Sequence, residues 1–393
     1  MGDVLFDPFS YDTQEDPFPS YARLRAQAPV WRSPDHGFWA LARHADVLAA
    51  LRDPELFSSR EGMVLESGFE ADAVQVFSLL AMDPPRYEAA RALVSRGFTP
   101  RRVSALEPHV RALAGAALDA LAGRDAADFI ADYAARIPMD VISSLLGVPA
   151  ADREGLRALA DRVLHRDEGV ASIPADSMQA SLALRGYFAD WVADAGRRGR
   201  DDLAGTILRA EIDGRRLAAD EVIGFLFLLV IAGSETTRNL LGNALYWLDA
   251  NPEVRARVHA DPGSVPAWVE ETLRYDSPTQ AVARVVTRDV RFRGLPLAAG
   301  EKVLLLLGSA NRDPEVFDAP DVFRPGRETA ASLAFGKGTH FCLGANLARL
   351  EARVCLEEWI RRVPRYAVQA GGAKRLRSTS VHGFASLPVS LGR

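Results

Sequence analysis

The sequence predicts a mainly α-helical fold with a smaller β portion, and three observations lead there. Apolar residues recur at three- and four-residue spacing through most of 86–242, with Ala, Leu and Arg filling the turns. After Ser277 the character changes to short apolar runs at 282–290, 292–297 and 302–307, split by glycine and proline in the manner of strands. Near Leu343 the helical spacing returns and continues to about Arg361.

The remaining elements follow in order. Residues 37–42 read as a strand and 44–51 as a helix, Asp213-Gly214 and Asn251-Pro252 as turns, and 379–391 as a hairpin around Gly383. Without an internal repeat, low-complexity tract or linker, the chain is expected to form one unit, 1–393. Apolar residues make up 48% and charged residues 25%, an ordinary globular balance, and a net charge of -5 gives no electrostatic reason to bind nucleic acid. Arginine dominates the basic set, with lysine at Lys302, Lys337 and Lys374. Two cysteines, Cys342 and Cys355, are too few for a disulfide scaffold and fit a reducing cytoplasm. Residues 1–10 carry acidic side chains and no apolar run, so neither a signal peptide nor an anchor is expected. The strongest apolar stretch, 222–232, is about half of what a bilayer crossing needs and belongs in a core.

The run Phe335-Gly336-Lys337-Gly338-Thr339-His340-Phe341-Cys342-Leu343-Gly344 is the most informative segment. Two glycines ahead of the cysteine permit a tight turn with unusual dihedrals. A helix is then expected at once, with Leu347, Leu350 and Val354 on one face. A cysteine at a helix start meets free N–H groups and the positive end of the dipole, which favour thiolate. The plainer alternative, a buried structural cysteine, suits Cys355 inside the same helix.

A second segment breaks an apolar helix. Asp220 can cap a helix running from Glu221 to about Asp249, whose first half is apolar on all sides and so must be buried. Ala232-Gly233-Ser234-Glu235-Thr236-Thr237 then places a carboxylate and hydroxyls in it, which is costly unless they serve something. Small residues let a ligand approach, and hydroxyls can open the hydrogen-bond ladder locally. Emergence of the helix into solvent after Gly233 is the competing reading.

The spacing Phe-x-x-Gly-x-x-x-Cys-x-Gly resembles the heme-binding loop of the cytochrome P-450 family, and motifs of that family follow in order from Asp83 to Gly344. The resemblance implies a long central helix over a heme b group, with Cys342 as the iron's thiolate ligand, Phe335 beside it, and Gly344 in the same loop. Thiolate ligation favours O–O cleavage. It implies that Glu235 and Thr236 are the oxygen-activating pair, the acid relaying protons and the threonine donating a hydrogen bond to dioxygen. It places Arg91, Arg284 and His340 at the heme propionates. The family often has His-x-x-x-Arg before Arg91; here Tyr87 stands at the histidine position and can still donate a hydrogen bond. Glu271 and Arg274 resemble the family's buried Glu-x-x-Arg pair, completed by Arg327 or else Arg324. As an alternative, Arg284 could protect an edge strand.

The activity so implied is that of a heme-thiolate monooxygenase acting on a small apolar molecule such as a steroid, terpenoid, fatty acid or polyketide. Its electrons would come from a separate acidic ferredoxin or flavodoxin with its reductase, steered to Arg96, Arg101, Arg102, Lys337, Arg349 and Arg353. The implied pocket is lined by 63–80, 228–232, 279–282 and the surroundings of Val381, with Gln280 as an orienting polar group. A peroxide-driven peroxygenase would share the cysteine loop but dispense with the Glu235-Thr236 pair. A heme-binding sensor would keep Cys342 without turnover.

Overall fold

The computed structural model describes residues 6–67, 73–194, 202–212 and 214–392. Its axis is the helix Ala219–Asp249, whose apolar first half is buried on nearly every side. Asp220 lies inside its first turn and does not cap it. Glu221 reaches back instead, its Oε2 accepting from the Ala218 backbone N–H at 2.7 Å. The helix is unbroken through Glu235 and Thr236, because Ser234, Thr236 and Thr237 each turn a hydroxyl back onto the carbonyl four residues earlier. The expected opening of the ladder is therefore absent there.

Around this axis pack Arg136–Leu146, Arg153–Leu164, Ala175–Ala193, Val265–Tyr275 and Ala345–Arg362. The β portion is a five-stranded mixed sheet, ordered Val30–Arg32, Trp39–Leu41, Lys302–Leu306, Ala281–Val286 and Phe57–Ser58. In its register Val303 faces Arg284 antiparallel and Trp39 parallel. The strand that carries Arg284 has neighbours on both sides and is buried along its length. That removes edge protection as the reason for the arginine.

Two expected elements differ. The helical run after Arg86 is interrupted by the strand Ala126–Asp128, which pairs with Pro388–Leu391 near the C-terminus. The tail forms no hairpin around Gly383: Phe384–Ser386 pairs with Lys374–Arg375, and Pro388–Leu391 joins the other sheet. Gly383 is small because a Cβ there would lie 2.4 Å from Asn239 Oδ1 on the long helix. Of the expected turn, Gly214 is left-handed and Asp213 lies outside the described residues.

Candidate active site

The cysteine loop is built by its glycines. Gly336 and Gly338 hold φ of 68° and 69°, a region that costs other residues strain, and a Cβ on Gly338 would lie 2.7 Å from the Leu51 carbonyl oxygen. The turn closes when the Cys342 N–H donates to the Phe335 carbonyl at 2.9 Å. Phe335 is half-buried, with the Arg349 guanidinium 4.5 Å from its ring centre. The following helix begins at Ala345 with Gly344 at its N-cap, so Cys342 precedes the first helical turn instead of standing in it. This alters the electrostatics. Burial pushes the Cys342 thiol up, and the Gly344 amide, Arg91 and Arg349 only partly oppose it. A cation bound to the sulfur would oppose that rise. Cys355, fully buried in the helix, is a core residue.

The long helix shows one open stripe. Ala232 is exposed, and Leu228, Ile231 and Thr236 are part-exposed, in a helix otherwise packed around them. Thr236 Oγ1 donates to the Ala232 carbonyl at 2.8 Å. Glu235, 3% exposed, is ion-paired to Arg238 one turn on, and Arg238 also pairs with Asp161 on Arg153–Leu164. Burial pushes the Glu235 carboxyl up; Arg238 pulls it back, and Asp161 adds to the rise. Solvent emergence after Gly233 is thus excluded. Arg238 is a functional neighbour that the sequence-based expectations do not include, although its i+3 spacing from Glu235 is readable. Asp161 carried no local signal.

Cationic groups gather beside the cysteine loop. Arg284 is 6% exposed; its Nη1 donates to the Ala283 carbonyl at 2.7 Å and it forms no ion pair among the described residues. Burial lowers its pKa to about 10, while Asp83 and Tyr87 oppose that shift. His340 is pushed down to about 4, by burial first and then by Arg284. Its Nε2 lies 3.3 Å from Ser59 Oγ, and its ring centre 4.2 Å from that of Tyr87. Tyr87 donates its proton to the Thr339 carbonyl at 2.8 Å and accepts from Arg91. That hydroxyl proton is not free for a carboxylate ligand, and Tyr87 instead orients Arg91. Arg91 likewise has no ion-pair partner among the described residues, so neither guanidinium group is ion-paired here, and Asp83 acts on Arg284 only from beyond ion-pair distance.

Farther out, Glu271 and Arg274 are both fully buried. Glu271 Oε1 accepts from Arg274 Nη2 at 2.7 Å, Arg327 Nε at 3.1 Å and the Arg324 amide at 2.8 Å, while Oε2 accepts from Arg274 Nε at 2.9 Å. Arg327 therefore completes the pair with its side chain and Arg324 with its backbone. Gln280 does not face the open stripe. It is buried, its Nε2 donates to the Ser277 carbonyl, and its Oε1 fills the space of a missing Cβ at Gly308. Of the expected pocket wall, 68–72 lies outside the described residues. Two of the surface arginines are neutralised, Arg349 by Glu270 and Arg353 by Glu107 and Glu357; Arg96, Arg101 and Arg102 stay exposed. Among the described residues no helix is long and apolar enough to cross a membrane.

The residues present suit a flat, dianionic, iron-containing macrocycle: a sulfur ligand, an open stripe on the long helix, and two guanidinium groups without ion pairs, Arg284 buried and Arg91 part-buried. Fold and site together define a heme-thiolate protein. Comparison with known proteins agrees. The family model described as cytochrome P-450 matches residues 192–363. A relative named cytochrome P-450 123, from Mycobacterium tuberculosis, is 49% identical over 99% of this chain and 97% of its own length. The vitamin D(3) 25-hydroxylase of Pseudonocardia autotrophica is 38% identical over 100% of this chain and 98% of its own. The crystal structure of CYP109E1 from Bacillus megaterium in complex with testosterone superposes with a TM-score of 0.89 at 32% identity, covering 98% of this chain and 100% of that one. The chain belongs to the cytochrome P-450 family and is a heme-thiolate monooxygenase.

Proposed function

We propose that the whole chain, 1–393, works as one cytoplasmic unit that oxidises a small apolar molecule of the steroid, terpenoid, fatty acid or polyketide kind. Hydroxylation is the default outcome, and epoxidation or dealkylation follows from a different substrate pose. The reaction takes dioxygen, two electrons and two protons, leaves one oxygen atom in the substrate and releases the other as water. Support for the substrate class comes from the apolar stripe Leu228, Ile231 and Ala232, and from relatives whose names carry a secosteroid and a steroid.

In this reading the cofactor is heme b, whose iron the Cys342 sulfur would hold. Arg91, Arg284 and His340 would hold its propionates, and Phe335 and Gly344 would shape the cysteine loop. When bound, the heme supplies activation of molecular oxygen at iron. The protein's own task is positioning and proton delivery. A change of Thr236 χ1 exchanges its bond to the Ala232 carbonyl for a donor aimed into the chamber. Glu235 lies between opposed influences, burial favouring the acid and Arg238 the carboxylate, which suits a group that takes up and releases a proton. Electrons come from an acidic ferredoxin or flavodoxin with its reductase, attracted by exposed Arg96, Arg101 and Arg102.

One observation carries the reading: a buried arginine, Arg284, beside the cysteine loop and with no ion-pair partner among the described residues. An unpaired buried charge is strongly destabilising, so an anion is expected to complete it. The test is to reduce the purified pigment under carbon monoxide and record the Soret band. A thiolate-type band that Cys342→Ala abolishes is expected; pigment-free protein, or a band unchanged by the substitution, refutes the proposal.

A further inference from the structure

Arg349 joins two helices to the cysteine loop. It lies in Ala345–Arg362, and its partner Glu270 lies in Val265–Tyr275, which packs against that helix. The two side chains meet fork to fork, Arg349 Nε donating to Glu270 Oε1 at 2.5 Å and Nη2 to Oε2 at 3.1 Å. The same guanidinium stands 4.5 Å from the centre of the Phe335 ring. Phe335 in turn accepts the Cys342 N–H on its carbonyl at 2.9 Å. Ion pairs as open as this one, 39% and 30% exposed, contribute little to stability, so stability does not account for its geometry. Its surroundings point elsewhere. Glu270 and Arg349 line both of two neighbouring cavities, about 370 Å³ beside Val103, Val269 and Leu350 and about 280 Å³ beside Leu273 and Phe341. The pair is a partition between open spaces, and packing does not fix the guanidinium over the ring. No second carboxylate does so either: among the described residues Arg349 pairs with Glu270 alone, and Arg353, one turn on, is taken by Glu107 and Glu357.

We propose that Glu270 and Arg349 are positioning residues that set the reduction equilibrium of the iron held by Cys342. Glu270 clamps the guanidinium over Phe335, and the charge so placed favours the reduced state. Uptake of one electron adds a negative charge at the iron and sulfur, which a fixed cation nearby stabilises. Arg349 acts on Cys342 in the same sense, opposing the rise of its thiol. Released from Glu270, the side chain turns into the adjoining cavities and solvent, where water and salt screen it. The inference rests on Cys342 as the ligand of the iron.

The test is a potentiometric titration of the heme-loaded full chain, reduced stepwise with dithionite in the presence of mediator dyes and followed at the Soret band. Arg349→Gln is expected to shift the one-electron equilibrium about fivefold toward ferric iron, roughly 40 mV. Glu270→Gln separates two effects of opposite sign. Loss of a carboxylate by itself favours ferrous iron, whereas loss of the clamp favours ferric iron, so a shift in the same direction as Arg349→Gln is expected. The double variant Glu270→Gln with Arg349→Gln then goes no lower than Arg349→Gln alone. The charge exchange Glu270→Arg with Arg349→Glu restores an ion pair between the helices but sets the carboxylate beside Phe335. Its urea midpoint returns toward wild type while its potential stays low, a combination that a merely structural bridge does not give. A potential unmoved by Arg349→Gln, or raised by Glu270→Gln, overturns the proposal, as does recovery of the potential in the exchanged pair. If the wild-type carbon monoxide complex lacks a thiolate-type band, what has failed is Cys342 as ligand.

Discussion

Glu351 gives the sharpest quantitative expectation. It lies inside the helix Ala345–Arg362, is 2% exposed, and its Oε2 has no hydrogen-bond partner among the described residues. Burial raises its carboxyl from 4.5 to about 8, with no charge assisting or opposing. The folded protein therefore retains a proton that the unfolded chain has already released over this interval. Stability is greatest below the unfolded value, declines by about 1.4 kcal/mol per pH unit between the two values and levels off above the folded one, roughly 5 kcal/mol lower in all as an upper figure. Glu351→Gln keeps the shape and cannot ionise, but buries amide hydrogens without acceptors at a cost of about 1–3 kcal/mol at every pH. The two stability curves should cross: wild type is the more stable at about pH 4.5, the variant at about pH 8.5. Urea denaturation midpoints of heme-loaded protein across that range give the comparison. Parallel curves would show that Glu351 is already ionised or hydrated in the fold, and the argument would be wrong.

What was legible in the sequence was what chemistry confines to a short window. The cysteine loop is ten contiguous residues whose glycines, phenylalanine and cysteine each answer a local demand. The strands after Ser277 announced themselves through glycine and proline between apolar runs. The Glu271 network was half legible: the i+3 pair is local, but choosing between Arg327 and Arg324 required knowing that one gives a side chain and the other an amide. The fate of the Tyr87 proton was not legible, because its acceptor, the Thr339 carbonyl, lies 252 residues away. Asp161, which competes with Glu235 for Arg238 over 77 residues, was invisible for the same reason. Gly383 misled in another way. Glycine marks either a turn or a close approach, and only packing against Asn239 decides which. The raised Cys342 thiol also depends on packing, since a helix that starts three residues later offers a weaker field than one starting at the sulfur.

Three further tests, with four substitutions between them, address separate parts of the site. Glu271→Ala strands Arg274 and Arg327 in the interior and should cost about 3–5 kcal/mol in denaturant unfolding; a loss below ~1 kcal/mol would mean the network is solvated. Glu235→Gln preserves shape but removes the exchangeable proton, so turnover should fall by about 10²-fold while the substrate-induced spin-state change persists; unaltered turnover would remove Glu235 from proton delivery. The third is a matched pair in the cysteine loop. Gly336 and Gly338 have almost the same left-handed φ, so alanine at either carries the same backbone strain, about 1–2 kcal/mol. They differ in room. A Cβ on Gly336 finds its nearest neighbour, the His340 carbonyl oxygen, at 3.7 Å, whereas one on Gly338 meets the Leu51 carbonyl oxygen at 2.7 Å. That carbonyl is backbone of the helix His44–Arg52 and cannot rotate aside as a side chain would. Gly336→Ala should therefore lower stability and keep the Soret band of the carbon monoxide complex. Gly338→Ala must push the loop off that helix, moving Cys342 with it, and should lower heme content as well. Equal heme content in the two variants would show that strain governs this loop and that its contact with the helix does not position the sulfur.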